Sequence, residues 1–377
     1  MCCPHGNLSV LCCPTMFRPR TLVLWVALLA GCSPPKIETP PPAAPPGEDA
    51  LQALVDETLE SNLYNRRLNT TDHAAWQVLH GALAYGQRFE VEHEGRLVPA
   101  VDYLLKGGRL AGWNLRAHDD SDRADGGLEV ILEGGTVKGQ GHSDQWLAVL
   151  SQCDLERNHP LMVDGRQHVI DDLVRRAQWE VEADREASWT LIGLSRYLPI
   201  DATWQNRHGR EWSLERLVAA EADHYLGQGA CGGSHRLIGM SMALNRYRAA
   251  KGGGAHAPMF LADGWRTADE RIREAIAKAH EYQADSGEFS MAYFDRPHFF
   301  PNVKERLAAS GHTLEFLALA LDDAELREAW VERGVVFLCG YLADLAEDDI
   351  ECGGLYHALH GLAVFRQRRF GEKQYPR

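Results

Sequence analysis

Six clusters of apolar and small residues recur along the chain, each reading as the start of a helix that faces an interior. They are Trp76-x-x-Leu79-His80-Gly81, His142-x-x-x-Trp146-Leu147, Trp189-x-Leu191-Ile192-Gly193, His235-x-Leu237-Ile238-Gly239, His312-x-Leu314-x-Phe316-Leu317 and His357-x-Leu359-His360-Gly361. Between most of them lie stretches with an apolar stripe and a charged face, so weakly charged helices alternate with amphipathic ones. The pattern predicts outer helices over 48–64, 167–183, 213–226, 267–283 and 324–345. It predicts inner helices from an Asp72 cap through Gly86, and from near Ser143, Ser188, Ser234, His312 and Tyr356. Small residues suit helices crowded round an axis, and charged faces suit helices that meet water. The expected fold is therefore all-α, an (α/α)6-type ring of helical hairpins. Over 88–140 the periodicity shortens to strand-like alternation broken by paired glycines, which reads as a small strand and loop insertion.

Ahead of residue 48 the pattern changes. Arg18 and Arg20 precede an apolar run over 21–30, and Leu29-Ala30-Gly31-Cys32 follows at once. The run is too short to cross a bilayer. This segment resembles a bacterial lipoprotein signal with its lipobox. The resemblance implies that residues 1–31 form a signal, within which Met16 reads as the true start because residues 1–14 fit no signal pattern, that Cys32 is lipidated, and that the lipid makes the membrane a partner. It also implies an envelope address, lipid-anchored and facing the periplasm or exterior. Residues 32–47, rich in proline, read as an extended tether, which leaves 48–377 as one toroid domain.

Charge and cysteine content narrow the partners. A formal net charge of −14 opposes nucleic acid. Cys153, Cys231, Cys339 and Cys352 lie beyond the anchor, and four thiols allow three pairings, all of which stay open. The acidic run over 118–127 lacks the ligand spacing and final Glu of a calcium loop. Phosphate-binding loop, dinucleotide fingerprint and Gly-x-Ser-x-Gly elbow are all missing from the sequence. Cys231 and His235 stand four apart, as two zinc ligands on one helix would, and Cys352 precedes His357 by five. Two separated half-sites do not make a set, so no metal and no cofactor is expected.

From His142 onward the chain resembles the α/α toroid superfamily. Gln283-Ala284-Asp285-Ser286-Gly287-Glu288-Phe289 is similar to the glutamine- and glycine-containing turn of squalene and hopene cyclases and prenyltransferase β subunits, with Cys231-Gly232-Gly233 and Cys352-Gly353-Gly354 as degenerate copies. The Asp-x-Asp-Asp acid of the cyclases is missing, which disfavours terpene cyclisation. Gly311-His312-Thr313-Leu314-Glu315-Phe316 is similar to the Gly-His-x-x-Glu motif of N-acylglucosamine 2-epimerases. That resemblance implies His312 as base, Glu315 orienting it, and His357 or His360 as acid. The whole chain also resembles a set of bacterial envelope lipoproteins.

The residues themselves support a site through convergence. In a ring of hairpins the inner helices begin at one mouth, so His142, His235, His312 and His357 become neighbours although distant in sequence. Imidazoles at helix N-termini favour their neutral form, and a base with a carboxylate and a second proton carrier suits epimerase, lyase or hydrolase chemistry. His312, Glu315, His357 and His360 are thus candidate catalytic residues. His142, Trp146, Trp189 and His235 are candidate substrate-binding residues, with a carbohydrate as the leading ligand. Two other readings stay open: a non-catalytic toroid scaffold for an envelope protein partner, and a cyclase-like or prenyltransferase-like protein without the acidic motif.

Overall fold

The computed structural model describes residues 44–118, 127–142, 144–254, 259–261, 263–373 and 375. The expected signal, Cys32, the tether up to residue 43, most of the acidic run and Ser143 lie outside them. The described residues form twelve α-helices, which pair in chain order as α1 (Glu48–Asn65) with α2 (Ala75–Tyr85), α3 (Ala100–Leu105) with α4 (Gln145–Leu150), and α5 (Ile170–Glu180) with α6 (Ser188–Tyr197). The pairing continues with α7 (Leu214–Asp223) and α8 (Ser234–Ala250), α9 (Asp263–Glu281) and α10 (Val303–Ala320), and α11 (Ala329–Asp344) and α12 (Cys352–Phe370).

The even-numbered helices make the inner ring. α2 packs on α4, and so on in order to α10 on α12, and α12 returns to α2 and closes the circle. The odd-numbered helices lie outside, each against neighbouring inner helices. Burial follows this division. In α2 every residue except Gln77 is buried, whereas α9 buries only Gly264, Trp265, Ala268, Ile272, Ala275 and Ala279, the one stripe that an amphipathic helix lays on a core. The fold is an (α/α)6 toroid, as the alternation predicts. Among the described residues no helix is long and apolar enough to cross a membrane.

Strands decorate the ring. β1 (Leu68–Asn69), β2 (Glu90–His93) and β3 (Arg96–Pro99) form one sheet, and β4 (Trp113–His118) pairs with β5 (Gly127–Leu132), both within or beside the expected insertion. Two more hairpins were not expected: β6 (Pro160–Val163) with β7 (Arg166–Val169), and β8 (Thr203–Gln205) with β9 (Glu211–Ser213). They share a rule with β2 and β3, since each of these three hairpins runs straight into an outer helix: α3, α5 or α7.

Helix boundaries differ from the pattern at three places. α10 begins at Val303, well before His312, because Asn302 caps it by accepting the Glu305 N–H at 3.2 Å. α12 begins at Cys352, where Glu351 accepts the Gly354 N–H at 3.0 Å. Asp72 does not cap α2; it lies in a turn with Asn69, and Gln77 folds back onto the Ala74 N–H instead. Ser213 caps α7 as expected, its Oγ accepting the Arg216 N–H at 3.1 Å.

Candidate metal centre

The closest approach in the ring is between α10 and α12. A Cβ on Gly311 would stand 2.8 Å from the backbone of Ala358, and one on Gly361 would stand 2.8 Å from the Glu315 nitrogen. Only glycine permits this contact, and the contact inserts Glu315 between two histidines of the facing helix. His357 Nδ1 donates to Glu315 Oε2 at 2.6 Å and His360 Nδ1 donates to Oε1 at 2.7 Å. Both histidines and Glu315 are buried. Burial pushes the Glu315 carboxyl up, but the two imidazoles on it outweigh that and hold it well below the ordinary carboxylate range.

Fixing Nδ1 as the donor leaves Nε2 of each ring with a lone pair. His357 Nε2 faces His235 Nε2 at 3.4 Å. His312 is oriented in the same way, its Nδ1 donating to the Ala308 carbonyl at 2.7 Å, and its buried Nε2 has no hydrogen-bond partner. His235 Nδ1 is likewise buried and unpartnered. His80 joins from α2, with Nδ1 on the Trp76 carbonyl at 2.5 Å and Nε2 beside the Gln145 amide at 3.2 Å. The rings touch one another: centroids lie 4.0 Å apart for His312 and His357, 5.0 Å for His235 and His312, and 5.1 Å for His80 and His357.

The remaining wall is the turn before α8. Cys231, Gly232 and Gly233 all take left-handed backbone angles, with φ of 50°, 63° and 82°, and the turn swings the Cys231 thiol toward His312. Buried Arg236 anchors the first turn of α8 to Glu221 at 3.0 Å, and Glu221 also accepts the Ala187 N–H at 2.9 Å. One ligand atom each from Cys231, His235 and His312 lies within 4.8 Å of the others. Burial alone would raise the Cys231 thiol, yet the neighbouring His312 outweighs it and lowers the group. The other thiols behave differently, burial pushing Cys153 and Cys339 up to about 12 and Cys352 up to about 11. Burial, followed by the adjacent His312 and His357, drives His235 well below the usual imidazole range. All four cysteines among the described residues are free thiols.

Five of the eight candidate catalytic and substrate-binding residues meet here: His235, His312, Glu315, His357 and His360. Trp189 flanks them, its ring 4.4 Å from that of His235. His142 stands exposed ahead of α4, its N–H donating to Gln145 Oε1 at 3.4 Å. Trp146 packs in the layer outside, 6.5 Å from Trp113. The sequence reading passed over His80, and it paired Cys231 with His235 without bringing either to a third ligand. For His80 the signal was present, since it occupies the same place in its cluster as His360 does in the last one.

The donor set fits a borderline transition metal such as zinc, which takes thiolate and neutral imidazole. Its support has the form such sites take, an imidazole held by a backbone carbonyl at His312 and another held by a carboxylate at His357. The half-site Cys231 and His235, set aside for want of a third ligand, is completed by His312 from α10. Cys352 stays apart, facing the Gln77 amide at 3.5 Å. Comparison with protein-family models, curated proteins and solved structures finds no significant match for the chain.

Proposed function

We propose that this protein is an envelope metalloenzyme, anchored through Cys32, whose toroid centre binds one zinc-class ion through Cys231, His235 and His312. The observation that carries the reading is that one ligand atom each of Cys231, His235 and His312 lies within 4.8 Å of the others, at a place where both rings keep a buried nitrogen without a hydrogen-bond partner. Buried polar atoms without partners are rare, and an ion within reach of all three side chains would bind them in place of the protons that His312 and Cys231 hold in the metal-free protein. Three protein ligands leave one tetrahedral position for water or substrate, the arrangement of catalytic zinc sites as opposed to four-ligand structural ones. An ion of this class supplies an activated water near neutral pH, which favours hydrolysis as the reaction.

A carbohydrate substrate fits this centre only from outside it. Imidazole centroids at 4.0–5.1 Å leave no gap for a sugar ring between them, so His312 and His357 serve as ligand and ligand support in place of a free acid and base. The lipobox over 29–32 supports the anchor.

The test is metal content. The purified chain dialysed against zinc should carry close to one ion, the Cys231→Ser and His312→Ala chains should carry much less, and the cobalt form should show a thiolate-to-metal absorption band that Cys231→Ser removes. A wild-type chain that holds no ion after dialysis, with no such band, defeats the reading.

A further inference from the structure

Against the turn that carries Cys231, the structure holds a cavity of 350 Å3 whose floor includes Gly232 and Tyr293. A Cβ on Gly232 would stand 2.4 Å from the Tyr293 ring, so the phenol packs directly on the turn. Inward, the same phenol neighbours Cys231, and its ring centroid is 6.4 Å from that of His312. One side chain thus stands between the cavity and the candidate ligands. Its placement costs backbone energy: Tyr293 has φ of 52°, a left-handed angle that bulky residues adopt only when the surroundings enforce it.

The surroundings do enforce it. Ser290 Oγ donates to the Arg296 carbonyl at 2.6 Å and accepts the N–H groups of Ala292 and His298, both at 3.1 Å, which staples the loop across its base. Phe294, the next residue, is buried against Phe316 with centroids 5.6 Å apart. The loop is therefore a rigid mount for the Tyr293 side chain.

The cavity wall has one cation more than it has carboxylates, Arg296 being paired with Asp295 at 2.6 Å. Arg271, Lys278 and Arg296 face it, against Glu274 and Asp295. Glu274 is shared between Lys278 at 2.9 Å and Arg271 at 3.3 Å, so one carboxylate serves two cations. In a chain of net charge −14 this is a local excess of positive charge.

We propose that this cavity is the entrance to the Cys231 centre, that Tyr293 is its plug, and that it admits small molecules bearing an oxyanion, a carboxylate or a phosphate. The proposal deepens the metal reading by naming the substrate class, but the entrance is a matter of access to Cys231 and is testable without metal.

The experiment is alkylation of Cys231 in the folded, chelator-treated mature chain, followed by peptide mass spectrometry, with anionic iodoacetate and neutral iodoacetamide as the two probes. Cys231 suits it because it alone of the four described thiols is not buried. Lys278→Ala should slow iodoacetate relative to iodoacetamide by about threefold, the rate ratio cancelling any change in thiol ionisation. Inorganic phosphate should slow both reagents in the wild type and less in Lys278→Ala. Tyr293→Ala should speed both reagents, and Tyr293→Phe, which keeps the plug, should speed them less. An unchanged ratio in Lys278→Ala, or no protection by phosphate, overturns the anion entrance; equal rates in Tyr293→Ala and wild type overturn the plug. Zinc protection of Cys231 reports separately on the metal reading, which falls alone if zinc gives none while the anion preference holds.

Discussion

The same substitution, glycine to alanine, should have opposite signs at two positions of this ring. At Gly311 the new Cβ meets Ala358 Cα and N at 2.8 Å, where ordinary contact begins at 3.4 Å. Backbone atoms cannot rotate away, so α10 and α12 must part by roughly 0.6 Å, an overpacking that costs about 1–3 kcal/mol. Alanine returns at most about 1 kcal/mol through helix propensity. The net loss is about 1 kcal/mol at the middle of this range and at most about 2 kcal/mol after the full return. The separation also stretches the Glu315 bonds of 2.6 and 2.7 Å toward the limit for a hydrogen bond. Gly340 lies on the exposed face of α11 with nothing within 4 Å of its built Cβ, so there alanine keeps the whole propensity gain, about 0.5–1 kcal/mol. Urea unfolding of chelator-treated protein, followed by far-ultraviolet circular dichroism, reads both midpoints. The midpoint should fall for Gly311→Ala and rise for Gly340→Ala. If Gly311→Ala matches or exceeds the wild type, the interlock of α10 and α12 is not as tight as described and the reasoning fails.

Glu315→Ala removes the acceptor for two buried Nδ1–H groups, each costing about 1–3 kcal/mol when orphaned, so a loss of about 3 kcal/mol is expected by urea titration. Glu315→Gln should lose less, and a Glu315→Ala chain as stable as wild type would show that the bonds do not form. In the metal-free protein, burial holds His80, His235 and His357 below the ordinary imidazole range. The unfolded chain then takes up protons below pH 6.5 that the fold refuses. Stability should therefore fall with acidification below pH 6.5, by up to about 1.4 kcal/mol per pH unit for each group that stays neutral in the fold. His312, pushed up to about 9 chiefly by Cys231 against the opposing effect of burial, acts in reverse; its contribution is present below 6.5 and lost as pH rises through 9. A urea midpoint that does not move between pH 7.5 and 5.5 contradicts this. Zinc stoichiometry should survive His357→Ala, whose ring supports the site, and collapse in His312→Ala; equal loss in both would make His357 a fourth ligand and the site a closed, structural one.

The ring was legible because its two signals are local. Small residues at close helix contacts, such as Gly311 and Gly361, and one apolar stripe per outer helix each repeat within a few turns. The short hairpins before α5 and α7 were legible too, although the reading missed them. Glu94-Gly95 and Asp164-Gly165 both take two positive φ angles, the type I′ turn that joins two-residue hairpins. Gly95-Arg96, Gly165-Arg166 and Gly209-Arg210 each stand at or beside a hairpin tip a few residues before an outer helix, an internal repeat hidden by the stronger helical period. The meeting of His235, His312 and His357 followed from equivalent positions in the repeats, and Glu315 and His360 each lie three residues along from one of these histidines. The place of Cys231 did not follow, because its approach to His312 depends on three successive left-handed residues and on how far α10 extends before its histidine. Neither is written in hydrophobic periodicity.

The closure of α12 onto α2 has a consequence for how the chain comes to be made. Arg366 on α12 grips Asp56 on α1 with two hydrogen bonds, 2.8 and 3.2 Å, across 310 positions. At ordinary elongation rates a ribosome needs roughly 15–60 s to travel that distance. For that interval the inner faces of the early hairpins, and His80 among them, have no neighbour on the side that α12 will cover. A nascent chain of this design depends on being kept from association until its last helix is released, and loss of that helix leaves an open arc with one apolar flank bare, not a smaller ring.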